Sequence, residues 1–377
     1  MGAHVREQEF AGLRWLVASG EREEVFEMLG QAARSEIRTV HQELPEAEAL
    51  HTWARTELGS AHLRRLVYET WRSCPTQVRE LRALAQGAGL ESLMPANLRG
   101  DLGTDDGTGC TDLGWRRSRS YVAHNEDGAP ALEGRLMLLT LLIDGDVPVT
   151  TQWYPGFLPA NTYVATGHGL VWGINHIQAT RPALAAGRHF VARALQQAPD
   201  LEAAVQFLRT VPSAGGFAYT IGARETGRVV VVEAVAGRSA MVEAQPAHPL
   251  QWHTNHLRHH PLPLDVPSTQ PSSGAGSLGQ RAAGSLGGYE ESQARGKVLA
   301  GLDVPDREPS VDWFLDALTS APLPRGVYRT AAGSDPLMTL CTTVTDLDAD
   351  SITLRLPGRP SATLPLSAYV RGNADAR

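Results

Sequence analysis

The chain has 377 residues, 42% of them hydrophobic and 20% charged, with a formal net charge of -7; this is the composition of a soluble globular protein with one large or two ordinary domains. The acidic balance argues against a general nucleic-acid or anionic-membrane binder, which needs a basic face. The opening "MGAHVREQEFAGLRW" lacks the continuous apolar stretch of a secretory signal, and the longest apolar run, "LMLLTLLI" at 136–143, is too short to span a bilayer as a helix, so a cytoplasmic location is expected.

In chain order, the first hundred residues read mainly as helix. "EREEVFEMLGQAARSEIRTVHQEL" and "SAHLRRLVYETWRSCPTQVRELRALAQGAG" carry apolar residues at three- and four-residue spacing between charged ones. Glycine, proline and aspartate then predict a loop leading to Cys110. Beyond it the period shortens. "RSYVAHNEDG", "GRLMLLTLLIDGDVPVTTQWYPG", "NTYVATGHGLVWGINHI" and "GGFAYTIGARETGRVVVVEAVAG" are β-rich runs, with hairpin turns expected at Asp144-Gly145 and Thr226-Gly227. Between them, "ALAAGRHFVARALQQAPDLEAAVQFLRTVPS" predicts helix, with Asp200 as an N-cap and Leu201, Ala204, Val205 and Leu208 on one face. "HHPLPLDVPSTQPSSGAGSLGQRAAGSLGG", about 259–288, is rich in proline, serine and glycine and reads as an exposed insertion. "TLCTTVTDLDADSITLRLPG" predicts a last hairpin. Helices, hairpins, helices and hairpins in succession point to a layered α+β fold rather than a parallel βαβ sheet.

Three cysteines, Cys74, Cys110 and Cys341, form neither a disulfide framework nor a zinc spacing. Cys74 and Cys341 read as small buried hydrophobes. Cys110 differs because it follows Gly109. A cysteine nucleophile needs a base, and a chain-terminal cysteine has one in its own α-amine, whose pKa of about 7.7–8.0 lies close to the thiol's value of about 8.5. An internal cysteine gains that amine only if its thiol first attacks the preceding carbonyl in an N-to-S acyl shift. Glycine at that position suits the step, since it tolerates strained backbone and leaves its carbonyl open.

"GCTDLG…VAHNEDG" resembles the processing site of the acyl-coenzyme A:6-aminopenicillanate acyltransferase family of autoproteolytic N-terminal-nucleophile hydrolases. The carriers are Gly109-Cys110-Thr111 and Asn125-Glu126-Asp127, followed by "YPGFLPANTYVATGHGLVWGINHI", "VVVVEAVAG", "WHTNHL", "SQARGKVLAGL" and "VYRTAAGSDPLMTLCTTVTDL" in consistent order over roughly 105–357. The resemblance implies a four-layer αββα sandwich with antiparallel sheets, preceded by a helix-rich segment. It implies self-cleavage between Gly109 and Cys110, giving fragments 1–109 and 110–377 that remain one unit. Cys110 then matches the nucleophile, Asp127 the acid that assists cleavage and orients the new amine, and Asn255 the oxyanion donor. Arg329 falls near the family's C-terminal arginine; Asn175 and Thr111 are further candidates for substrate or oxyanion support.

The implied activity is hydrolysis or transfer of the acyl group of a small N-acylated amine, amino acid or peptide-like amide, with no metal or other cofactor. Acyl-coenzyme A enters only as a donor substrate, and association with further copies of the chain stays open. Two rivals remain. His253, His256, His259 and His260 are dense enough for a metal-dependent hydrolase, though no glutamate sits within the pair as in metalloproteases. The other is an unprocessed, non-catalytic protein of the same fold. Arg116, Arg117 and Arg119 read as a solvated hairpin edge.

Overall fold

The computed structural model describes residues 2–43, 47–102, 109–179, 181–260, 288–333 and 335–376. It opens on a hairpin, β1 (His4–Phe10) and β2 (Leu13–Gly20), where the helical reading had no strand. Ala11 and Gly12, both at positive φ, form its two-residue turn. Helices α1 (Arg22–Ala32), α2 (Arg34–Glu43), α3 (Ala47–Arg55), α4 (Glu57–Ser73), α5 (Pro75–Ala88) and α6 (Met94–Asn97) follow. The second expected helix is two, because Pro75 lacks an N–H for the continuing ladder and starts α5 at its first position. Helices α1 and α5 meet backbone to backbone: a Cβ on Gly30 would lie 2.2 Å from the Leu84 carbonyl oxygen, and one on Gly87 1.9 Å from that of Glu27.

The rest comprises β3 (Thr111–Arg116), β4 (Ser120–Gly128), β5 (Met137–Ile143), β6 (Val149–Trp153), β7 (Val164–Thr166), β8 (Leu170–Ile177), α7 (Arg188–Leu195), α8 (Leu201–Thr210), β9 (Gly216–Ala223), β10 (Arg228–Val235), β11 (Arg238–Glu243), β12 (Leu250–His253), α9 (Gly288–Ala300), α10 (Val311–Thr319), β13 (Met338–Asp346), β14 (Ser351–Arg355), β15 (Ala362–Pro365) and α11 (Leu366–Val370). The expected turns fall between β5 and β6 and between β9 and β10, with Gly145 and Gly227 at positive φ. Asp200 caps α8 by accepting from Ala203 N at 2.7 Å, and Leu201, Ala204, Val205 and Leu208 are buried. Most of the 259–288 insertion, residues 261–287, lies outside the described residues, as does the 103–108 loop.

Two sheets form, in the orders β1-β2-β5-β6-β7-β8-β9-β10-β11 and β12-β3-β4-β13-β14-β15. All pairs are antiparallel except β2 with β5, where Trp15 to Gly20 run beside Leu138 to Ile143. Residues before Cys110 therefore supply two strands of the larger sheet as well as helices. Successive strand residues point to opposite faces. Thus Leu139, Trp172 and Val230 pack on α1, α5, α7 and α8, whereas their neighbours Leu138, Val171 and Val229 pack with Val122, Ile352 and Leu354 of the smaller sheet. On that sheet's other face, Leu113, Trp115, Tyr121 and Val344 pack on Leu299 of α9 and Phe314 and Leu318 of α10. The layers run α, β, β, α. Among the described residues no helix is long and apolar enough to cross a membrane.

Candidate active site

The hairpin of β3 and β4 explains why Asp127, seventeen residues away in sequence, reaches the junction before Cys110. Thr111 pairs with Asn125 and Asp112 with His124; continued outward, that register sets Cys110 opposite Glu126 and Gly109 opposite Asp127. The close approach is real, since a Cβ on Gly109 would lie 2.6 Å from the Asp127 carbonyl oxygen and 3.0 Å from its Cβ. Only glycine fits that contact without a backbone shift. Arg116, Arg117 and Arg119 are not a solvated edge: β12 covers β3, Arg116 pairs with Glu243 at 2.5 Å, Arg117 donates to the Asp306 carbonyl at 2.8 Å and Arg119 pairs with Asp346.

Strand alternation divides the site into two faces. Toward the larger sheet, His124 stands between two carboxylates, with Nδ1 2.6 Å from Asp112 Oδ1 and Nε2 2.9 Å from Glu126 Oε2. Tyr154 donates to the other Glu126 oxygen at 2.8 Å. The Cys110 thiol belongs to this cluster: its sulfur, a His124 nitrogen and a Glu126 oxygen lie within 4.8 Å of one another. Each ring nitrogen of His124 faces a carboxylate, so these side chains form a hydrogen-bonded network beside the sulfur. Burial pushes the thiol up to about 11, helped by the Glu126 charge and opposed by hydrogen bonding to His124. Burial disfavours an imidazolium at His124, yet Asp112, Cys110 and Glu126 together hold its pKa well above the ordinary histidine value.

Toward α9 and α10, the fully buried Arg295 spends its donors around the junction. Nη1 bonds the Cys110 carbonyl and Thr111 Oγ1, each at 2.8 Å, and Nη2 bonds Asn255 Oδ1 at 2.6 Å. Glu291, one turn earlier on α9, takes Nε at 2.7 Å and Nη2 at 3.0 Å. Arg329 reaches the same Glu291 at 3.3 Å and Asp335 at 3.0 Å, while its backbone N–H donates to Thr339 Oγ1 at 3.1 Å. Thr339 in turn donates to Asp127 Oδ1 at 2.7 Å, and Asp127 Oδ2 is buried without a hydrogen-bond partner among the described residues.

Of the residues expected from sequence, Gly109, Cys110, Thr111 and Asp127 thus meet directly, and Asn255 and Arg329 join them through Arg295, Glu291 and Thr339. Asn175 stands apart. It is buried in β8 and donates to Asp112 Oδ2 at 2.9 Å and to the His253 carbonyl at 3.3 Å, so it touches the cluster only through Asp112. The four histidines do not converge either. His253 bonds Glu233 at 3.1 Å and His256 bonds Thr254 and Ser292, and burial pushes both His256 and His259 down to about 4. Sequence reasoning overlooked Asp112, His124 and Glu126. Two-residue alternation through "CTD" and "HNE" carries the signal that Cys110, Asp112, His124 and Glu126 share one face.

Burial raises the Asp127 carboxyl to about 6, against the opposing pull of Arg329 and Arg295. An unfolded aspartate titrates near about 3.9. Between those values the folded chain holds a proton that the unfolded chain has released, so this group's contribution to stability falls as pH rises from about 4 to about 6. With the chain kept uncut by Cys110→Ala, Asp127→Asn is therefore expected to be more stabilising at pH 7 than at pH 4, by about 2–3 kcal/mol. Urea unfolding at the two pH values checks it; an unchanged difference counts against the buried, raised carboxyl.

Two sheets stacked between helical layers, with a glycine–cysteine junction at the head of a strand in the smaller sheet, form the four-layer αββα architecture, the fold class that the family resemblance implies. Within that class, the family model described as acyl-coenzyme A:6-aminopenicillanic acid acyl-transferase matches residues 115–270, a stretch that begins five residues after Cys110. No curated protein matches the chain. Among solved structures it is similar to a variant of conjugated bile acid hydrolase from Clostridium perfringens (12% identity, 70% of this chain and 95% of that one, TM-score 0.43). It is also similar to penicillin V acylase from Agrobacterium tumefaciens (11%, 68% and 86%, TM-score 0.38). A third similarity is to the Caenorhabditis elegans ortholog of N-acylethanolamine-hydrolyzing acid amidase (11%, 70% and 97%, TM-score 0.42).

Proposed function

We propose that this chain is an autoprocessing N-terminal-cysteine amidohydrolase that cleaves a small N-acylated amine or amino acid through a Cys110 thioester. One observation carries the reading. Gly109 packs against Asp127, whose second carboxylate oxygen is buried without a partner among the described residues. An unsatisfied buried oxygen is costly, and an ammonium created by cutting the Gly109–Cys110 bond would satisfy it.

In turnover the freed amine takes the Cys110 proton, Asp127 stabilises the resulting ammonium, and the sulfur attacks the acyl carbonyl. Asn255 Nδ2 has two hydrogens; one is given to the His176 carbonyl at 2.9 Å, leaving the other for the oxyanion. The leaving amine departs with the proton, and water hydrolyses the thioester. Hydrolysis is favoured over transfer from acyl-coenzyme A because the site's two arginines, Arg295 and Arg329, are buried and paired with Glu291 and Asp335 rather than open to phosphate.

Intact mass tests the reading. Full-length protein incubated at neutral pH is expected to give fragments of 109 and 268 residues that co-elute on gel filtration, since β2 pairs with β5 across the cut. A single full-length species after prolonged incubation overturns the proposal and leaves the non-catalytic alternative. Asn255→Ala is expected to lower turnover of an N-acyl p-nitroanilide about 100- to 1000-fold, the usual cost of one oxyanion donor. Unchanged kcat in this variant would remove Asn255 from that role.

A further inference from the structure

An α-amine cannot serve as base for the cut that creates it, so the uncut chain needs another proton carrier beside the Cys110 thiol. We infer that the His124–Glu126 pair, oriented by Asp112, is the proton shuttle for self-cleavage, distinct from the amine and Asp127 that serve turnover. The inference rests on the autoprocessing reading above.

Three observations converge. The His124 ring and the Glu126 carboxylate lie within 4.8 Å of the sulfur and 2.9 Å from each other. Asp112, itself fixed by Asn175 at 2.9 Å, holds the opposite ring nitrogen at 2.6 Å, which sets the plane of the imidazole. All are buried, so water does not compete for the proton. Among the described residues, the other titratable groups facing the pair are Tyr154, which donates to Glu126 at 2.8 Å, Tyr163, with ring centroids 6.0 Å from His124, and the Cys341 thiol, and burial raises the pKa of each. None of them carries charge near neutral pH.

The pair begins with one proton shared between imidazole and carboxylate. As the bond from Cys110 Sγ to the Gly109 carbonyl carbon forms, the thiol proton passes to the pair. As the bond from that carbon to the Cys110 nitrogen breaks, the pair returns one proton to the nitrogen. One bond is formed, one is broken, a proton has moved from sulfur to nitrogen, and the pair ends as it began. Water then hydrolyses the Gly109 thioester, releasing the glycine carboxylate and a cysteine with both thiol and amine free. Asp112 is a positioning residue in this scheme.

The test follows cleavage of the full chain by intact mass from pH 5 to 9, alongside iodoacetamide alkylation of Cys110 in the uncut protein. His124→Ala is expected to slow cleavage about 100-fold or more, the scale of general acid–base assistance, and to lose a limb of the wild-type pH profile. Asp112→Asn is expected to slow it less and to shift that limb to lower pH, because the carboxylate that favours the imidazolium is gone. Thermal melts establish that each variant is folded; for a His124→Ala chain that does not fold, His124→Gln replaces it. Cleavage of a folded His124 variant at the wild-type rate with the wild-type pH profile overturns the inference. A wild-type chain that stays whole overturns the proposed function instead, and the shuttle is then judged on alkylation: identical pH profiles for wild type and the His124 variant overturn it, and a shifted profile supports the coupling.

Discussion

Cys110→Ala is expected to leave the chain as one full-length species and to abolish amide turnover, while changing stability by no more than about 1 kcal/mol. The asymmetry follows from where the thiol sits. Burial and the Glu126 charge keep it protonated in the resting state, so the sulfur contributes no buried charge whose loss would unbalance the fold. Its removal costs a few contacts within the range of ordinary small-to-smaller core changes. Chemically the loss is total under the proposed function, in which the same atom is both the attacking group in self-cleavage and the acyl acceptor in turnover. Cys110→Ser separates the two steps further: the hydroxyl is a weaker nucleophile at neutral pH, so slow cleavage with still slower turnover is expected. The measurement is intact mass over days together with release of p-nitroaniline from an N-acyl substrate. A Cys110→Ala chain that still splits after Gly109 assigns the cut to an external protease, and one that still turns over substrate removes Cys110 from catalysis altogether.

What was legible in the sequence is what depends on local spacing. The turns at Gly145 and Gly227, the Asp200 cap and the apolar face of α8 are each written within a few residues, and each stands as expected. The link from Cys110 to Asp127 came only through the family resemblance; its local cause, the single hairpin whose register sets Gly109 against Asp127, is seen in the structure. β1 was missed because "VREQEF" is polar and half exposed, so its strand alternation has little apolar contrast. The Cys74–Pro75 break was missed because helical periodicity continues across it. The second half of the site is non-local. Arg295 is 185 residues from Cys110 and 40 from Asn255, and no spacing rule ties a helix on one side of a sheet to a strand start on the other. "SQARGKVLAGL" marked that helix only through the family resemblance, without the arginine's partners.

Those partners make Arg295 the second site of large effect. A guanidinium has five N–H donors, and here all five are used: on the Cys110 carbonyl, Thr111 Oγ1, Asn255 Oδ1 and both oxygens of Glu291. Arg295→Met removes a buried cation and leaves Glu291, among the described residues, with the longer 3.3 Å contact from Arg329. Breaking a buried pair from one side costs about 3–5 kcal/mol, because the remaining charge is stranded away from water. Urea midpoints are expected to fall accordingly. Arg295→Lys is expected to fall nearly as far, since an ammonium cannot reproduce the planar fork that reaches three elements at once. Adding Glu291→Gln to Arg295→Met removes the stranded carboxylate and is expected to recover a large part of the stability. Turnover should not recover with it, because Asn255 would still lack the donor that fixes its amide and Cys110 the one that fixes its carbonyl. Recovery of both together would reduce Arg295 to a structural ion-pair partner. Recovery of stability alone would separate its part in holding α9 to the sheet from its part in setting the geometry around Cys110 that the proposed function requires.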